Sequence, residues 1–259
     1  MNERRNSTRS SRRTARFRFY AELNDFLPPA RRRVAFGHDF DGTPTVKDRI
    51  ESLGVPHTEV DLVLVDGASV DFDHHLHGGE RVSVYPVFEA FDIGRTTRLR
   101  PEPLREPRFI LDVHLGRLAG DLRLLGFDTL YANDFSDGHI IRTARSEQRI
   151  ILTRDTGILK DGRVTHGAFI HATEPLAQLG EVVERFQLEH RVRPFTRCMK
   201  CNGEIETIDA GDLRPGEVPS GVRRAFDAFG RCTGCGQVYW PGSHYDRMRE
   251  RFRSIGIAV

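Results

Sequence analysis

Apolar positions in the first third of the chain change period several times, and each change predicts an element. Phe17, Phe19 and Ala21 alternate with polar neighbours, the period of a half-buried strand, and a second strand is expected around Val34 and Phe36. Val46, Ile50 and Leu53 follow at spacings of four and three. That is one face of a helix, which Thr45 can cap and Gly54 can end. Val60 to Val65 is then an almost unbroken apolar strand running into Asp66-Gly67, a pair that favours a tight hairpin because both residues tolerate positive φ. Val82, Val84 and Val87 close the sheet. A helix laid across such a mixed sheet makes an α+β module.

From Arg108 the pattern changes. Phe109-Ile110-Leu111 is a continuous apolar run stopped by Asp112. The helix expected directly after it has Leu115, Leu118, Ala119, Leu122 and Leu125 on one face and ends at Gly126. A strand is expected over Thr129 to Ala132, then a helix capped by Ser136 or Asp137 with Ile140, Ile141 and Ala144 inward. Ile150-Ile151-Leu152 is another buried run, meeting polar chemistry at Thr153-Arg154-Asp155. A strand near Ala168 to Ile170 and a helix bearing Leu176, Leu179, Val183 and Phe186 complete the series.

This alternation of continuous apolar strands with helices marks an α/β domain, a parallel sheet covered on both faces. Every strand of such a sheet ends on the same side, and ligands bind outside those carboxyl ends. Asp112 and Asp155 are therefore expected over one rim, with Asp134 and Asp137 arriving from the loop after the intervening strand. Converging carboxylates raise one another's pKa unless a cation joins them. Hard oxygen donors suit Mg²⁺ or Mn²⁺, and such a site can activate water against a phosphodiester. Taken singly, each aspartate reads first as an N-cap or a surface residue, because Asp is common at strand-to-helix turns. Their joint placement favours the metal.

Length and charge add boundaries. With 259 residues the chain is long enough for several modules. No apolar run approaches the roughly 20 residues that cross a bilayer. Met1 to Arg18 hold seven arginines and one glutamate with no secretory core behind them. Residues 1–15 are thus expected to be a disordered basic arm of a cytoplasmic chain, either solvated or touching phosphates. The α+β module is assigned to 16–95, a proline-broken linker to 96–107, the α/β domain to 108–192, and a cysteine module with a basic terminal helix to 193–259. Within the α/β domain, Arg117 either pairs with Asp121 one helical turn away or joins Arg154 in holding a phosphate backbone. Thr153 reads as a structural hydroxyl and His114 as a side chain packed beneath the rim. Asp71, Asp73, His74, His75 and His77 lie beside a loop and read as solvated surface. No Walker loop and no GxSxG motif is present.

All four cysteines, Cys198, Cys201, Cys232 and Cys235, fall in the pattern C-x₂-C, thirty residues, C-x₂-C. Two such knuckles supply four thiolates to one tetrahedral Zn²⁺, a closed structural site without an open position. The insert between them, with Pro215 and Pro219, is expected to make its own turn or short helix. Disulfides are disfavoured in a cytoplasmic chain. Beyond the second knuckle, Tyr239 and Trp240 either brace the metal or, with His244 and Tyr245, stack bases. Arg247, Arg249, Arg251 and Arg253 either neutralise phosphates or solvate a terminal helix.

The segments FILDVHLGRLAGDLRLLGFDTLYANDFSD and RIILTRD resemble the Mut-seven carboxy-terminal ribonuclease domain, of the PIN-like nuclease class. With the cysteine segment the resemblance covers roughly Arg108 to Arg253. GVPHTEVDLVLVDGASVDFDHHLHGGERVSVYPVFEA resembles the ubiquitin-like β-grasp domains, in particular the small sulfur carriers. Those carriers end in Gly-Gly, whereas Gly78-Gly79 lies in mid-chain, so an adaptor with a protein partner is expected instead. The resemblance implies metal-dependent RNA cleavage by Asp112 and Asp155, with Asp137 matching the carboxylate that opens the middle helix and Asp134 its neighbour. Gly120-Asp121 departs from the family pattern, where a basic and an aromatic residue are expected. The expected function is a Mg²⁺- or Mn²⁺-dependent ribonuclease. The alternatives are a non-catalytic RNA-binding protein and a β-grasp interaction adaptor.

Overall fold

Alternation along one strand organises the N-terminal module. In β1 (Arg13–Phe19), Ala15, Phe17 and Phe19 are buried while Arg16 and Arg18 are exposed. The computed structural model describes residues 12–86, Leu99 and residues 107–259. It divides into two compact units, Met1–Pro103 with Leu159–Thr165, and Leu104–Ile158 with His166–Val259.

In the first unit β1 is followed by β2 (Phe36–Phe40), α1 (Val46–Ser52), β3 (Val60–Val65), β4 (Ala68–Val70) and β5 (Arg81–Pro86). The sheet order is β2-β1-β5-β3-β4, with β1 and β5 parallel and the other pairs antiparallel. This is the mixed sheet of a β-grasp fold. Thr45 caps α1 through a capping box with Asp48, a device worth about 1 kcal/mol. The helix buries Val46 and Ile50 against Phe17, Val63 and Val84. At the β3–β4 hairpin, Asp66 and Gly67 adopt φ of 50° and 88°, as their dipeptide predicts.

Three local expectations change. Arg13 to Ala15 belong to β1 and not to the basic arm, because Ala15 is a core residue at 1% exposure. Ala21 does not extend the strand but opens a 3-10 turn, Ala21–Phe26, at φ 46°. Val34 is 48% exposed and precedes β2, which starts only at Phe36. Val87, residues 1–11 and most of the 96–107 linker lie outside the described residues.

The second unit carries a parallel sheet ordered β7-β6-β8-β9, built from β6 (Phe109–Leu111), β7 (Thr129–Leu130), β8 (Ile150–Thr153) and β9 (Gly167–Phe169). The helices are α2 (Gly116–Leu124), α3 (Asp137–Glu147), α4 (Thr156–Leu159) and α5 (Pro175–Arg185). The predicted apolar face of α2 is wholly buried. A single 3-10 turn, Val113–Leu115, separates Asp112 from that helix, which therefore begins at Gly116 and not directly after the aspartate.

Beyond the first cysteine pair lie β10 (Ile205–Asp209), α6 (Ser220–Ala225), β11 (Ala228–Cys232) and β12 (Val238–Tyr239), the strands forming an antiparallel sheet. The insert thus makes the short helix expected of it. Its own small core is Leu213, Val218, Phe229 and Val238, with Trp240 packed against them. The last helix, α7 (Ser243–Arg253), is not a separate solvated appendage. Phe252 and Ile257 are buried in the same core as Phe109, Leu152 and Leu179. The boundary expected at 192/193 therefore divides sequence but not packing. Among the described residues no helix is long and apolar enough to cross a membrane.

Candidate active site and metal centre

β6 and β8 are adjacent and parallel, with Leu111 opposite Leu152, so the residues that follow them leave the sheet on one rim. Asp112 is 6% exposed and its backbone N–H donates to Leu152 O at 3.1 Å. Its carboxylate is held from two sides: Val113 N–H donates to Oδ1 at 2.6 Å and the Thr153 hydroxyl donates to Oδ2 at 2.9 Å. Thr153, fully buried, also accepts a hydrogen bond from Asp155 N–H at 2.9 Å. One hydroxyl thus couples the two aspartates. Asp155 is exposed, and its Oδ1 accepts from Gly157 N–H at 2.6 Å. A Cβ on Gly157 would lie 2.9 Å from that oxygen, which explains a glycine there.

The loop between β7 and α3 is fastened to the same rim by Tyr131. Its hydroxyl lies 2.9 Å from Val113 O and 2.6 Å from Asn133 Oδ1. Gly116 makes room for that ring, since a Cβ there would fall 2.6 Å from the hydroxyl. Ser136 caps α3 by accepting from His139 N–H, leaving Asp137 in the first helical turn. Asp134 and Asp137 are both exposed.

The expected gathering of four carboxylates is not realised as one tight group. Among the described residues, the four cysteines are the one set of three or more metal-ligating side chains close enough to share an ion. Asp134 and Asp137 stand exposed on a loop and a helix start, whereas Asp112 is buried and locked by two donors. His114 is exposed and not packed beneath the rim.

The arginines sort differently from the expectation. Arg154 Nη1 donates to the carbonyls of Ile170, His171 and Ala172 at 2.9, 3.0 and 2.5 Å, so it fastens the exit of β9 instead of presenting that nitrogen to phosphate. Arg249 donates from Nε and Nη2 to the Val259 oxygen at 3.3 and 3.0 Å and lies over the Tyr245 ring. Arg117 and Arg247 are exposed. Asp121 is 5% exposed and forms its ion pair with Arg251 of α7, not with Arg117. Burial holds the Asp121 carboxyl above its usual range, against the pull of Arg251 and, more weakly, Arg117. The Gly120-Asp121 departure thus has a packing reason: Asp121 anchors α7, and a Cβ on Gly120 would press on Met199 Cγ at 3.3 Å.

At the second centre the four Sγ atoms lie within 4.8 Å of one another, with Cys198 and Cys235 3.6 Å apart and Cys201 and Cys232 3.3 Å apart. No pair is bonded as a disulfide. A tetrahedral Zn²⁺ with Zn–S of about 2.3 Å places its sulfurs about 3.8 Å apart, so this donor set fits zinc. Tyr239 Oη is 3.0 Å from Cys198 Sγ, so the tyrosine braces the cysteine cluster, while Trp240 packs on the insert. Gly203 is required nearby, because a Cβ would fall 2.9 Å from Cys232 Sγ.

The first knuckle is also bonded to the edge of the parallel sheet. Asn202 Oδ1 accepts from Thr129 N–H at 2.9 Å, and its Nδ2 donates to Asp128 Oδ1 at 2.8 Å. Arg123, buried at 6% exposure, donates from Nη1 to Met199 O at 3.0 Å and from Nε to Thr129 O at 2.9 Å. Arg149 grips both Asp128 oxygens, at 2.8 and 3.2 Å. Although burial pushes Asp128 up, the hydrogen bonds from Arg149 and Asn202 bring its carboxyl below the usual range. Sequence reasoning missed Tyr131, Asn202, Arg123, Asp128 and Arg149, whose partners lie up to 77 positions away. The polar residue between Gly126-Phe127 and the strand at Thr129 was the one local hint.

Residues 107–252 match the model of the Mut7-C RNAse domain, and residues 12–92 match that of Mut7-C ubiquitin. No curated protein and no solved structure matches the chain.

Proposed function

We infer the activity from one premise: the chain belongs to the Mut7-C RNAse domain family and carries a Mut7-C ubiquitin domain ahead of it. The reading is a PIN-like ribonuclease that hydrolyses RNA phosphodiesters with Mg²⁺ or Mn²⁺, held by Asp112 and Asp155. The observation that carries it is the Asp112–Thr153–Asp155 chain of hydrogen bonds at the ends of two adjacent parallel strands. All donors there are hard carboxylate oxygens, the set such cations take. Each Asp112 oxygen accepts one hydrogen bond and keeps a lone pair for a ligand. Asp155 Oδ2 accepts none among the described residues.

A bound divalent ion would supply Lewis acidity toward the phosphodiester and an activated water. Asp112, buried and doubly held, fixes the position of the site, while exposed Asp155 meets the substrate side. Asp134 and Asp137 complete the acidic rim and orient water. Arg117 and Arg247, both exposed, are the cations left to steer phosphate, since Arg154 and Arg249 are committed to carbonyl oxygens. Zn²⁺ on Cys198, Cys201, Cys232 and Cys235 acts structurally, by holding the knuckle whose Asn202 closes the sheet edge.

The test is cleavage of labelled RNA by reduced, zinc-loaded protein with Mg²⁺ or Mn²⁺. Asp112→Asn and Asp155→Asn are each expected to lower the rate at least about 100-fold, and withholding Mg²⁺ and Mn²⁺ to abolish it. RNA bound but never cut would favour the non-catalytic alternative, and cleavage surviving both substitutions would overturn the assignment.

A further inference from the structure

The ubiquitin-like module carries a cleft of about 430 Å³ lined by Arg18, Phe19, Tyr20, Ala21, Asn24 and Arg33. We propose that this cleft and the sheet face beside it form a second RNA-binding surface, taking the phosphate of a single strand between Arg18 and Arg33 and a base on the Tyr20–Tyr85 pair. The proposal rests on the ribonuclease reading only for the identity of the polyanion.

Three observations lead there. First, the outward face of β1 and β5 concentrates cations: Arg16 lies directly opposite Arg81 in the parallel register, with Arg18 one outward position along β1. Like charges directly opposite in a sheet destabilise it, so an anionic partner relieves a cost the free module bears. Neither Arg16 nor Arg18 forms an ion pair among the described residues, and the Asp66 partner of Arg81 stands 3.9 Å away at an exposed site.

Second, the Tyr20 and Tyr85 rings stack at 4.3 Å and 9°, and the Arg18 guanidinium lies 5.1 Å from the Tyr20 centroid. An aromatic platform beside a guanidinium is how sequence-tolerant proteins hold single strands.

Third, the cleft is held in shape at conformational cost. Ala21 and Arg33 adopt φ of 46° and 59°, where side chains other than glycine are rarely found. Asn24, 5% exposed, fixes both by donating to Phe19 O and Ala21 O and accepting from Arg33 N–H at 2.6 Å. An acidic protein segment would satisfy the arginines but would leave the aromatic platform unused. RNA satisfies both.

The test is fluorescence anisotropy of a labelled oligouridylate with full-length, zinc-loaded protein in buffer without Mg²⁺ or Mn²⁺, which withholds the ions cleavage requires. The variant Arg18→Thr with Arg33→Asn suits the strand and the left-handed backbone, and is expected to bind about tenfold more weakly with a shallower salt dependence. Tyr85→Ala is expected to weaken binding about tenfold and Tyr85→Phe to leave it near wild type. Binding is read without the cations that the cleavage reading requires, so loss of catalysis and loss of this surface are read separately. Unchanged RNA affinity in both the arginine and the Tyr85→Ala variants would overturn the proposal. So would binding of polyglutamate that competes fully with RNA and is insensitive to Tyr85→Ala, which would assign the surface to an acidic protein.

Discussion

Replacing Thr153 by valine keeps the volume of a fully buried side chain and deletes one hydroxyl that does two jobs. Asp112 loses a donor to a buried carboxylate, an interaction worth about 1.5–3 kcal/mol. Asp155 N–H loses its acceptor, at a smaller cost of about 0.5–1 kcal/mol because Asp155 is exposed and water can replace the hydroxyl. These losses share one atom and do not add fully, so Thr153→Val is expected to destabilise the second unit by about 3 kcal/mol. Thr153→Ser keeps the hydroxyl and loses a methyl group, at about 1 kcal/mol. The sole tryptophan, Trp240, lies in that unit, so its fluorescence during urea unfolding at fixed zinc reports the difference. Cleavage activity should fall with valine and survive with serine, because the hydroxyl fixes where Asp112 stands. A valine variant within about 0.5 kcal/mol of wild type, or a serine variant as damaged as valine, would refute the reasoning.

Two further expectations concern the polar weld between the zinc knuckle and the sheet edge. Asn202→Gly accommodates the φ of 69° but strands Thr129 N–H and removes a donor from Asp128; it should cost about 2 kcal/mol in the same urea experiment, with Asn202→Ala worse by about 1 kcal/mol for backbone strain. An Asn202→Gly variant as stable as wild type would dissolve the weld. The Asp128 carboxyl titrates below its unfolded value of about 3.9, so its contribution is complete above that pH and is lost as pH falls through the lower folded value. Stability measured from pH 6 downward should therefore fall less steeply in Arg149→Met than in wild type, and parallel curves would count against the pairing.

The periodic parts of this molecule were readable along the chain because they depend on neighbours three, four or two positions away. Val46 and Ile50 of α1, Leu118 and Leu122 of α2, and the runs at Phe109 and Ile150 all fold as their spacing predicts. The shared rim of Asp112 and Asp155 followed as well, since a parallel sheet allows no other side for strand ends. What could not be read was which partner each polar side chain would choose. Asp121 had Arg117 within one turn but is paired with Arg251, 130 positions away, because α7 folds back onto the sheet core through Phe252. Arg154 sits in the right place for phosphate, but three carbonyls at the end of β9 claim it. Asp134 and Asp137 stand exposed on a loop and at a helix start, where no spacing along the chain says how closely they approach Asp112.

The account turns on whether Asp112 and Asp155 share a divalent cation. Electron paramagnetic resonance of Mn²⁺ titrated into reduced, zinc-loaded protein measures that directly. A tightly held Mn²⁺ in the wild-type chain that disappears when Asp112→Asn and Asp155→Asn are combined is the predicted result. An identical Mn²⁺ signal in the doubly substituted, folded protein would contradict it.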